Sequence, residues 1–70
     1  MRYEMWILPE QGGEMLHACE DPAEMFVFFK DALRAHEPHT ITLLANDGEK
    51  SWQIHHRQLR AHVLRRTDVR

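Results

Sequence analysis

Asp21-Pro22-Ala23-Glu24-Met25-Phe26-Val27-Phe28-Phe29-Lys30-Asp31-Ala32-Leu33 carries the plainest local instruction in the chain. Asp21 can accept a hydrogen bond from a free amide of a helix's first turn. Pro22 has no amide to leave unsatisfied at the first helical position, and Glu24 can reach back to the cap. At about 100° per residue, Met25, Phe26, Phe28, Phe29, Ala32 and Leu33 share an arc of about half the helix, with Lys30, Asp31 and Arg34 opposite. That arc requires a core to face. Pro38 drives the residue before it out of helical geometry, so the helix is expected to end near His36, about fifteen residues after it begins.

On the amino-terminal side, residues 2–8 are strand formers, and Pro9-Glu10-Gln11-Gly12-Gly13 supplies the turn chemistry that reverses the chain. Residues 14–20 can return as a second strand, with Met15, His17 and Cys19 on one face and Leu16 and Ala18 on the other. A tight Gly-Gly turn and a five-residue loop both fit here, and a one-residue difference in pairing swaps which faces meet. On the carboxy-terminal side, residues 40–45 and 50–56 flank Asn46-Asp47-Gly48-Glu49, a strong hairpin signal. With Asp47 and Gly48 as the two central residues, Leu43 would oppose Trp52 and Ile41 would oppose Ile54 on one face. Thr42 with Gln53 and Thr40 with His55 would then share the other. Residues 57–66 carry Leu59 and Val63 four apart, the stripe of a short basic helix in preference to an extension of the fourth strand.

Two hairpins around one long helix predict an α+β fold of two layers. An antiparallel sheet of about four strands, in the order β-β-α-β-β, carries the helix on one face, followed by a short basic segment. Seventy residues suffice for one domain, residues 1–70, with a marginal core, and the single Cys19 excludes an internal disulfide. The first hairpin is apolar on both faces, with Tyr3, Met5 and Ile7 on one and Trp6 and Leu8 on the other. One helix covers one side only, so the other needs the carboxy-terminal segment folded back or a second copy of the chain. Homodimerisation is the leading expectation, with Tyr3, Met5, Trp6 and Leu8 as candidate interface residues.

Charge is unevenly distributed. Residues 1–56 hold four Lys and Arg against ten acids, a net of −6, and residues 57–70 hold five Arg against Asp68, a net of +4. Such a tail either seeks an external anion or lies back on acids such as Glu14 and Glu20. Arg57, Arg60, Arg65 and Arg66, whose planar donor forks suit phosphate, are therefore candidate nucleic-acid contacts. Against this stand the slightly acidic whole chain and its acidic first 56 residues.

Catalysis and metal binding find less support. His17, His36, His39, His55, His56 and Cys19 are potential ligands, but no spacing forces the roughly four needed for zinc to converge, so no metal or other cofactor is assigned. Cys19 precedes Glu20 and Asp21, which disfavour a thiolate nucleophile, and no catalytic residue is assigned. Gly12-Gly13 lacks the spacing and the following Lys of a phosphate-binding loop. The longest apolar run, Met25 to Phe29, is five residues where a membrane span needs about twenty. With no export signal and one unpaired thiol, the expectation is a cytoplasmic, noncatalytic interaction module, with nucleic-acid binding as the alternative.

Overall fold

A computed structural model describes residues 1–68, with the side chains of residues 9, 62 and 64–68 outside what is described. Strands β1 (Arg2–Ile7), β2 (Glu14–Cys19), β3 (Ile41–Asn46) and β4 (Ser51–Ile54) form one antiparallel sheet in the order β2-β1-β3-β4. Helix α1 (Pro22–Ala32) lies between the two hairpins in sequence, and helix α2 (His56–Asp68) follows the last strand. This is the expected α+β order, with the basic segment folded as a second helix.

Helix α1 starts where its capping residues place it. Asp21 has extended backbone and its carboxylate accepts from the Ala23 amide at 2.9 Å, with Pro22 next in line. Glu24 does not reach back, because its carboxylate is engaged by His17 on β2. The regular α-helix ends at Ala32, four residues short of expectation, although Leu33 and His36 still donate to the Phe29 and Ala32 carbonyls four residues back. Tighter bonds from Arg34 to the Asp31 carbonyl and from Ala35 to that of Ala32 carry the turn on to His36. Met25 and Phe29 are buried on the sheet, while Phe28 and Leu33, at the margins of the expected arc, remain exposed.

The loop of the first hairpin, residues 8–13, has six residues, one more than the longer expected loop, with a single 3-10 turn at Pro9–Gln11. Leu8 enters it at φ 47°, an unusual conformation for a residue with a side chain, held by its amide's bond to the Thr40 carbonyl. The pairing contains a bulge. Tyr3, Glu4 and Met5 oppose Cys19, Ala18 and His17, whereas Trp6 and Ile7 oppose Met15 and Glu14, leaving Leu16 as an extra residue on β2. Strict alternation along residues 14–20 is therefore corrected: Leu16 joins His17 and Cys19 on the helix side, and Met15 shares the far side with Ala18.

The second hairpin keeps its expected faces with a register shifted by two. Leu43 opposes Ile54, Ala45 opposes Trp52, and Gly48-Glu49 form the tip. Asp47 stays at the loop's shoulder because its carboxylate accepts from the Glu49 and Lys50 amides. Those bonds hold its pKa below the ordinary carboxylate value. A shift of two preserves the faces, since side chains alternate with period two.

Helix α2 begins in a reciprocal cap: the Arg57 amide donates to His55 Nδ1 at 3.2 Å and the Gln58 side chain accepts from the His55 amide at 2.8 Å. Leu59, 0% exposed, then joins Tyr3, Met5, Met25, Phe29, Leu43 and Ala45 in the core, and α2 packs beside α1. Both helices thus occupy the same side of the sheet.

Candidate functional site

The far side of the sheet follows from the pairing alone. Residues that oppose one another share a face, so Trp6 stands with Met15 and Thr42, and Glu4 with Ala18, Leu44 and Gln53. Trp6, Ala18 and Leu44 are half-buried and Met15 is exposed. At the centre of the face, Glu4 accepts from Trp6 Nε1 at 2.9 Å and from Arg2 Nε at 3.1 Å. The carboxylate is thereby matched by a cation and a donor, so the middle of this face presents no bare charge.

Of the four candidate interface residues, Tyr3 (3% exposed) and Met5 (2%) lie in the core beneath α1. They have no surface to offer a partner, because their parity on β1 points them at the helices. Trp6 lies on the uncovered face, and Leu8 is exposed at the loop entrance. The first hairpin's second apolar face is real, but only its even-numbered members present it.

Arg57 and Arg60 are exposed on α2, and among the described residues neither is paired with a carboxylate. The side chains of Arg65 and Arg66 lie outside those described. Nearby, His56 stacks on Phe29 with centroids 5.3 Å apart and sits 4.1 Å from the His55 ring. The cover Phe29 gives its ring lowers the His56 pKa, and the charges of His55 and Arg57 add to the effect. These two histidines and His39 rim a cleft of about 350 Å³ whose floor includes Phe29, Leu43 and Ile54. That volume is at the low end for small-molecule sites.

A different group of side chains meets where β2 hands over to α1. His17 Nε2 lies 2.8 Å from Glu24 Oε2, and the His17 ring stacks on Phe28 at 3.7 Å with an interplanar angle of 10°. Cys19 Sγ donates to the Asp21 carbonyl at 3.4 Å. One donor atom from each of His17, Cys19 and Glu24 falls within 4.8 Å of the other two, so these are residues able to hold a metal ion together. Burial pushes the Cys19 thiol up; its bond to the Asp21 carbonyl opposes this, while Glu24 and Asp21 push further in the same direction. The strand period puts His17 and Cys19 on one side, but Glu24 joins them only through the packing of α1 on the sheet.

Comparison of the chain with protein-family models, with curated proteins and with solved structures finds no match. Among the described residues no helix is long and apolar enough to cross a membrane.

Proposed function

We propose that this chain is a noncatalytic interaction module that homodimerises through the uncovered face of its sheet. The observation that carries the reading is the docking of α2: Leu59 enters the core on the side already covered by α1. Of the two covers considered for the far face, the carboxy-terminal segment is taken up on the helix side as far as Asp68, which favours a second copy. Trp6, Met15, Ala18 and Leu44 supply apolar area, and the Arg2–Glu4 pair supplies a charge pattern that can repeat across a two-fold axis.

Four strands about 4.8 Å apart, three of six residues and β4 of four, rising about 3.3 Å per residue, give the face a plan area of about 350 Å². Side-chain relief raises the accessible area, but the pair still falls at the weak end of specific interfaces, which bury about 800 Å² per partner. The expected result from sedimentation across the micromolar range is a reversible shift from the 8.4 kDa monomer towards twice that mass. Trp6→Thr should abolish the shift, and a wild-type mass fixed at the monomer throughout would remove the proposal.

A second reading is supported by Arg57 and Arg60, which pair with no carboxylate among the described residues. Contacts from these two and from Arg65 and Arg66 to duplex phosphates would give a log–log salt slope of about −3.6, at about −0.9 per contact. Arg57→Gln with Arg60→Gln should reduce that slope by about half. Absent or salt-insensitive binding excludes this reading.

A further inference from the structure

We propose that His17, Cys19 and Glu24 form a binding site for one divalent cation of the zinc class, with solvent in the fourth position. The site is independent of the dimer reading, since all three residues belong to the helix side of the sheet or to α1. Its donor set is one thiol sulfur, one imidazole nitrogen and one carboxylate oxygen, the mixture a borderline-soft tetrahedral ion accepts. Calcium and magnesium favour all-oxygen shells and have little use for the sulfur.

The geometry is close to what such an ion requires. With bonds of about 2.0 Å to nitrogen and oxygen and about 2.3 Å to sulfur, neighbouring donors in a tetrahedron stand about 3.3 to 3.5 Å apart. Here the His17 and Glu24 donors are 2.8 Å apart and all three lie within 4.8 Å, so separations must open by about 0.5 Å or close by at most about 1.3 Å. Rotation of the Glu24 side chain, 48% exposed, can adjust its oxygen without disturbing the backbone, and side-chain rotation at Cys19 can adjust the sulfur. The remaining parts are held in place. His17 and Cys19 are two apart on a strand, the His17 ring lies flat against Phe28, and Asp21 anchors the first turn of α1 that carries Glu24.

Charge favours a cation at this corner. From Tyr3 to Phe29 the chain has six Asp and Glu and no Lys or Arg. Thiolate and carboxylate together neutralise a dication, so the ion with its three ligands carries no net charge. On binding, the Cys19 proton leaves to solvent as the sulfur–metal bond forms. The His17–Glu24 hydrogen bond is given up: the proton on His17 Nε2 is relocated through solvent to Nδ1, and one nitrogen–metal and one oxygen–metal bond form in its place. The ion then ties the bulged strand β2 to α1, a cross-link suited to a small domain without a disulfide.

The test is a calorimetric titration of the full chain with zinc chloride, repeated with cobalt(II) as an optical reporter. Expected are one zinc per chain, release of protons, and a thiolate-to-cobalt charge-transfer band with the visible bands of tetrahedral cobalt. Cys19→Ser should erase the charge-transfer band and weaken zinc binding at least about tenfold, and Glu24→Gln should weaken it by a comparable factor. Circular dichroism establishes that both variants remain folded. The double variant His55→Gln with His56→Gln should bind zinc as the wild type does. No zinc uptake at micromolar metal, or uptake unchanged in folded Cys19→Ser and Glu24→Gln, overturns the site.

Discussion

Leu59→Ala tests whether α2 is a structural part of the domain. Leu59 is fully buried at the junction of both helices and the sheet, so its truncation removes apolar surface from the core and leaves a cavity. Such substitutions cost about 2 to 5 kcal/mol, and a site with no solvent exposure belongs near the middle, about 3 kcal/mol. A domain of this length has a total of about 4 to 10 kcal/mol, so the loss is between a third and most of it. At about 4 to 8 °C per kcal/mol, the melting midpoint should fall by about 12 to 24 °C. Urea unfolding followed by far-ultraviolet circular dichroism and by tryptophan fluorescence measures both the size and the cooperativity of the loss. Leu59→Met, which nearly conserves volume, should cost less than about 1.5 kcal/mol. A loss under about 1 kcal/mol for Leu59→Ala at unchanged denaturant slope would refute the docking of α2 against Met25 and Phe29.

Gly48 sits at φ 98° with open space where a Cβ would be, so Gly48→Ala meets no clash and its cost is purely conformational. The expected loss is about 1 to 2 kcal/mol, seen as a lower melting midpoint; an unchanged midpoint would contradict the loop geometry. His56 predicts a pH dependence with a definite sign. Its folded pKa is lowered, so the unfolded chain binds the proton more readily, and this contribution is complete above the ordinary histidine value and lost as pH falls below it towards the folded value. Stability measured at stepped pH should decline over that interval, and His56→Gln should flatten this part of the curve. A His56 ring that titrates by NMR at or above its ordinary value would defeat the prediction.

What was legible in the sequence was local. The cap of α1 is a short-range chemical pattern, and it starts the helix where Asp21 and Pro22 require. The faces of the second hairpin followed from alternation, but its register did not, because the Asp47 carboxylate bonds across the tip and moves the turn along by one residue on each side. The faces of β2 were hidden by a single unpaired residue, Leu16, which no periodicity announces. For α2, Leu59 and Val63 mark a stripe, yet which side of the sheet receives it depends on packing. Its cap is inconspicuous in the sequence because histidine is an uncommon first partner, although Gln58 stands three residues after His55. The corner formed by His17, Cys19 and Glu24 needs the angle of α1 on the sheet, a tertiary quantity.

The bulge at Leu16 also bears on how copies of this chain can assemble. A sheet offers neighbours either its rim or its flat side, and the two have different geometries of growth. Rim-to-rim addition leaves a fresh rim after every step and has no natural end. Here one rim is β2, kinked by its extra residue, and the other is β4, only four residues long. Neither makes a good template for an incoming strand, whereas two flat sides brought together are consumed in a single event. Under the proposed flat-side contact, assembly would therefore stop at a pair, whereas rim addition would continue.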